Sequence, residues 1–193
     1  MKTSTFVRVA VVAMALTFAV STASAQLNST AQPIALNATL AESLTVSLNT
    51  ATVNFTLSAG SAANAGSNTV IATTKWVLKP GRTAVGVYAY FASNTAALTG
   101  TSGALIPSSA FSIADTGAGS GGAGTSGALT NSVAFGGASA GLKLVNVPIT
   151  GLNMNANRTD TMAFNIDLSG GTLPQLPADT YTGTLNIQAQ ATP

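Results

Sequence analysis

The chain of 193 residues has no cysteine and no histidine, and only 6% of it is charged, against about 25% in an ordinary globular domain. Without cysteine there is no disulfide framework, no thiolate nucleophile and no Cys-ligated metal. Without histidine the imidazole base and the commonest transition-metal ligand are gone as well. Glutamate occurs once, as Glu42. Strong helix formers are scarce after the first segment, where Thr, Val, Ser, Asn and Gly dominate, so no helix is expected there. The length suits one domain or two small ones.

The first segment carries what positive excess there is. Lys2 and Arg8 precede an apolar run from Val9 to Val20, broken only by Thr17, and Ala23-Ser24-Ala25 places small residues before Gln26. This order reads as a secretory signal peptide over residues 1–25, cut before Gln26. The run is too short for a membrane-spanning helix, which needs about 20 apolar residues. Removing residues 1–25 takes away two cations and no acids, leaving five charges of each sign. The mature chain is then neutral, which argues against nucleic acid as a partner. No later stretch is long and apolar enough for integral membrane insertion. The expected location is outside the cytoplasm: periplasm, cell surface or extracellular space.

After the signal, apolar residues alternate. Ile34, Leu36, Ala38 and Leu40 share the even phase with Leu44, Val46 and Leu48, and Val53, Phe55 and Leu57 follow on the odd phase. Period two marks half-buried strands. Further strands are expected at Val70 to Leu78, Val85 to Phe91, Ala110 to Ile113, Leu142 to Ile149, Met162 to Leu168 and Tyr181 to Ala191. Turn residues such as Lys79-Pro80-Gly81 and Ser169-Gly170-Gly171 separate them. The fold class predicted is all-β, an antiparallel immunoglobulin-like sandwich of about eight strands over residues 42–193. A closed membrane barrel also alternates but calls for aromatic girdles, and nine aromatics remain after residue 25.

Two segments depart from a plain sandwich. Nine of the nineteen glycines fall between Gly117 and Gly141, predicting a flexible loop over 114–141. The other segment is the run from Ile34 to Leu48, too long for an ordinary strand. Glu42 interrupts its apolar phase and marks the expected break. Either the strand bulges and switches sheets within one molecule, or residues 26–41 form an arm. In the second case Ile34, Leu36, Ala38 and Leu40 would complete the open edge of a neighbouring subunit by strand addition.

Little in the sequence points to catalysis. Glu42 and Asp160 are the carboxylates available for a hydrolase pair, but nothing in their spacing brings them together, and no enzymatic activity or cofactor is expected. A Ca²⁺ site from Asp115, Asp167 or Asp179 is chemically feasible, without the clustered spacing of a binding loop. Trp76, Tyr88 and Tyr90 are the candidate glycan contacts, with Tyr88 and Tyr90 expected to point outward together. Trp76 also suits a core anchor.

The segment Leu176-Pro177-Ala178-Asp179-Thr180-Tyr181-Thr182-Gly183-Thr184-Leu185-Asn186-Ile187 resembles the closing hairpin of secreted bacterial pilin-like and spore coat protein U-like domains. Tyr181 matches the family's tyrosine, and Asp179 stands where the family has glycine. The resemblance implies a surface-assembled structural subunit with an immunoglobulin-like fold, served by a periplasmic chaperone and usher. A nearly uncharged surface independently favours contact between copies. The function expected is therefore a non-enzymatic subunit of a bacterial coat, pilus or fibre, with self-association or other surface subunits as partners. A carbohydrate-binding, adhesive module is the alternative.

Overall fold

The computed structural model describes residues 27–115, 127–129 and 141–193. The expected signal peptide and most of the expected glycine-rich loop lie outside the described residues. The chain divides into two units, Met1–Thr39 and Leu40–Pro193. In the first, residues 27–39 are without regular structure and exposed throughout.

The second unit is an antiparallel β-sandwich. Its larger sheet has the order β1 (Ser43–Leu48), β3 (Val70–Val77), β10 (Asn155–Ile166), β7 (Phe111–Asp115) and β8 (Gly127–Ala128), with β2 (Asn64–Ala65) also pairing with β10. The facing sheet is β12 (Leu185–Thr192), β4 (Ala84–Phe91) and β9 (Leu142–Pro148). A small third sheet joins β11 (Tyr181–Thr182), β5 (Leu98–Gly100) and β6 (Leu105–Ile106). All of these pairings are antiparallel.

Alternation explains the core. Along β3, Val70, Ala72, Thr74 and Trp76 face inward while Ile71, Thr73, Lys75 and Val77 face out or lie half-buried. Val85, Val87, Ala89 and Phe91 of β4 and Leu144, Val145 and Val147 of β9 meet them from the opposite sheet in one apolar cluster. Phe91 and Phe111 join the two sheets, their ring centroids 4.8 Å apart.

Several elements differ from the sequence expectation. Twelve short strands are present among the described residues, where about eight were expected. The expected strand at Val53 to Leu57 is extended but holds only a single bridge, Phe55 to Gly66. The strand around Met162 begins earlier, at Asn155, because Arg158 and Asp160 take inward positions that apolar periodicity does not reveal. The last strand breaks at Gly183-Thr184. A Cβ at Gly183 would lie 1.9 Å from the Ala97 carbonyl oxygen, so the chain crosses β5's neighbourhood there at a distance only glycine allows.

Candidate functional site

The two sheets place their edge strands β1 and β12 next to each other. Among the described residues, β12 pairs with β4 alone and β1 with β3 alone. The inward row of β12, Leu185, Ile187, Ala189 and Ala191, is only half-buried, and so are Leu44 and Val46 of β1. Both rows pack on the core without being covered by it.

At one end this seam is closed by charge. Glu42 accepts hydrogen bonds from Arg82 Nε at 3.0 Å, Arg82 Nη2 at 3.2 Å and the Lys79 backbone N–H at 3.1 Å. Arg82 also donates to the Ala191 carbonyl at 3.3 Å. One guanidinium thus ties the start of β1, the β3–β4 turn and the end of β12. The Arg82 hydrogen bonds, then the Lys79 N–H, hold the Glu42 carboxyl down at about 2 from an ordinary 4.5.

At the other end the edges part. Beyond Leu48 the chain leaves the sheet, and its residues 51–57 run extended with Val53, Phe55 and Leu57 turned inward. One side of that segment is held: the Ser67 N–H donates to the Asn54 carbonyl at 2.8 Å, and the Ser58 N–H donates to Asn64 Oδ1 at 2.8 Å. Its other side faces the segment from Leu176 to Ile187 across a cleft of about 870 Å³. Val70, Phe91, Phe111, Phe164 and Leu168 form the apolar floor. The far wall is rigid. Asp179 accepts from Thr101 Oγ1, from the Ser102 N–H at 2.7 Å, from Ser102 Oγ at 2.7 Å and from the Thr180 N–H at 2.7 Å. These donors, Thr101 first, push its carboxyl well below the ordinary carboxylate range.

The chain matches no family model, no curated protein and no solved structure. The functional reading therefore rests on the placement of its own residues.

Ile34, Leu36, Ala38 and Leu40 are all exposed, the three large side chains at 83%, 89% and 81%. The candidate glycan contacts do not share a surface. Trp76 is buried on the inner face of β3, its Nε1 donating to the Asn153 carbonyl at 2.8 Å. Tyr88, expected to point outward beside Tyr90, is also buried, at 7% exposure. Its ring lies over Gly86, where a Cβ would sit 2.7 Å from Tyr88 Cε2, and Lys143 Nζ on β9 stands 5.5 Å from its centroid. A register shift between Val87 and Tyr88 accompanies this arrangement. Tyr90 alone stays half-buried, its hydroxyl donating to Gln188 Oε1 at 3.2 Å.

Apart from Asp115, whose charge acts on Asp160, the carboxylates are dispersed. Glu42 lies at the level of Leu78 and Asp160 opposite Ala72, a separation of about 20 Å along β3 at roughly 3.3 Å per residue. Asp160 pairs with Arg158 inside the core, where burial raises its pKa and the Arg158 hydrogen bond opposes the rise. Asp167 accepts from the Ser169 N–H and Oγ at a turn. Asp115 ends β7 opposite Met162. Among the described residues no three acids gather as a metal centre, and no helix is long and apolar enough to cross a membrane.

The cleft is the feature that sequence reasoning missed. Its one signal was the odd-phase row Val53, Phe55 and Leu57, which carries strand alternation without a strand partner.

Proposed function

We propose that this protein is a non-enzymatic structural subunit, exported to the surface of a bacterial cell, that assembles into a coat, pilus or fibre by adding strands at its open edges. The observation that carries this reading is the uncovered side of the core, where among the described residues β1 and β12 each pair on one side only and the seam between them runs into an apolar cleft. Unpaired backbone beside half-buried apolar side chains is the surface to which an extended segment adds. The same chain carries an exposed segment with the matching alternation. Burying a large aliphatic side chain stabilises by about 1.5 to 3 kcal/mol, so three of them on that segment supply a substantial driving force before the cost of association.

The near absence of charge supports the same reading, because little repulsion keeps copies apart. The resemblance of Leu176 to Ile187 to secreted pilin-like and coat domains points to the same class, with a chaperone and usher as partners during assembly and an immunoglobulin-like strand order as the finer fold. Sedimentation velocity and negative-stain microscopy test it on the chain beginning at Gln26. Concentration-dependent oligomers or fibres are expected, and deletion of residues 30–41 should reduce them to monomers. A full chain that stays monomeric at high concentration, indifferent to the deletion, would overturn the proposal.

A further inference from the structure

We infer that the outer face of the larger sheet holds an acidic polysaccharide, with Lys75 as the contact to an anionic group on the sugar. The site is complete within one molecule and does not depend on assembly.

Strand register builds the site. Lys75 stands on β3 opposite Thr45 of β1 on one side and Asn157 of β10 on the other. Two residues along the strands, Val77 lies between Ser43 and Asn155. Thr74, Trp76 and Arg158 take the inward positions, and alternate residues on a strand share a face, so this set points outward. Ser43, Thr45, Lys75, Asn155 and Asn157 are exposed and Val77 is half-buried. Together the six line an open hollow of about 460 Å³. With strands roughly 4.8 Å apart and roughly 3.3 Å per residue, they cover about 10 by 7 Å, room for a sugar ring or two.

Charge selects the ligand. Among the described residues the ion pairs take Lys79, Arg82 and Arg158, and Lys143 stands over the Tyr88 ring. Lys75 is in none of these contacts. The chain has five carboxylate side chains, and each is otherwise engaged. Glu42 is held by Arg82, Asp167 and Asp179 accept from turn donors, and Asp115 and Asp160 are buried. A second copy therefore brings no free acid to Lys75, and its anion has to come from a different kind of molecule. The rest of the hollow is neutral, with hydroxyls at Ser43 and Thr45 and amides at Asn155 and Asn157, groups that both donate and accept. Sugar hydroxyls do the same, so an anionic sugar matches one ammonium set among hydroxyls and amides. Nucleic acid fits poorly, because it takes several cations along a face, and with Trp76 turned to the core no aromatic ring faces the hollow for a base to stack on. A peptide strand fits no better: the hollow centres on β3, which is paired on both sides and has no free backbone to add to. One exposed ion pair is weak, so each molecule holds the sugar loosely. Repeating acidic units meeting repeated copies of the chain add avidity.

Binding of the chain beginning at Gln26 to biosensor surfaces carrying polygalacturonate, hyaluronate, dextran sulfate or neutral dextran tests this. At least one acidic polymer should bind and dextran should not. Polygalacturonate and hyaluronate report a carboxylate partner, dextran sulfate a sulfate. Lys75→Gln should weaken binding about fivefold, as loss of one exposed ion pair does, and remove its dependence on salt. Asn157→Ala should weaken it about threefold and leave the salt dependence in place. Lys75→Arg should bind nearly as the unmodified chain does, and so should Lys143→Gln, on the other sheet. The substituted side chains on this face are exposed, so Tm should hold; should Lys75→Gln lower it, Asn157→Ala carries the test. Binding to none of the acidic polymers, or equal binding to dextran, would overturn the inference. Undiminished binding by Lys75→Gln and Asn157→Ala, or an equal loss in Lys143→Gln, would overturn the site.

Discussion

The two ends of the seam between β1 and β12 use the same pair of edge strands in opposite ways. At one end the protein's only glutamate and one of its few arginines bind the edges together. At the other, apolar side chains face a gap. A second contrast runs across the facing sheet. Its β9 edge carries Lys143 and ends in Pro148, both devices that discourage strand addition. Its β12 edge carries Gln188 and Gln190 and no charge at all. In a chain this poor in charge, where the charges sit separates the edges that are closed from those left to pair.

The sharpest test of the contrast is at the cleft itself. Phe111 lies in its floor, 4% exposed, with Phe91 at 4.8 Å and Phe55 edge-on at 6.0 Å. Phe111→Ala should cost about 3 to 5 kcal/mol, as large core truncations do, read as a lower urea midpoint with an unchanged slope. Val53→Asp, on the half-buried wall, should lower the midpoint less than Phe111→Ala does while abolishing association. Equal losses for the two would mean that the wall is core and the cleft is not an open edge.

Smaller in effect is the rigidity of the far wall. Gly183→Ala puts a methyl group 1.9 Å from the Ala97 carbonyl oxygen, so the crossing must widen, at about 1 to 3 kcal/mol for an overpacked site. The same change should weaken association, because Gly183 lines the cleft beside Tyr181 and Leu185. Gly170→Ala, with open space around its Cβ, serves as the control and should change neither.

How far the fold was legible follows from these same residues. Period two placed β3, β4 and β9 because each sets apolar side chains against the opposite sheet, although the alternation is clean along β3 alone, with five consecutive residues buried on β4 and both Leu144 and Val145 buried on β9. It failed over Asn155 to Thr161, where the inward positions are Arg158 and Asp160, which form an ion pair inside the core. It misplaced Tyr88, whose burial depends on Gly86 and on Lys143, a residue far away in sequence that β9 brings alongside. Glu42 was visible as the interruption of an apolar phase, and β1 starts just after it. Its partner Arg82 was not, since only the β3–β4 turn carries that guanidinium back. The cleft was least legible of all: it exists because residues 51–57 and 176–187 diverge, and divergence of two segments distant in sequence leaves no local pattern beyond the odd-phase row Val53, Phe55 and Leu57.

The closed end should yield to acid before the open end responds. Arg82 and the Lys79 N–H depress the Glu42 carboxyl in the folded state to about 2, below the ordinary 4.5. A carboxyl lowered by folding contributes stability that is complete above the ordinary value and disappears as pH falls through the folded one. Asp167 and Asp179, also held down by their donors, act in the same direction. Asp160 acts in the opposite one, because burial raises its pKa and protonation relieves that penalty. Comparing the chain with its Glu42→Gln variant isolates the clamp from the other three. The difference in Tm between them should be constant from pH 7 to about 5, shrink between about 4.5 and 2, and vanish at the acid limit. A difference independent of pH across that window would mean that Glu42 closes the seam by packing and not by charge, and the contrast between the two ends would lose its electrostatic half.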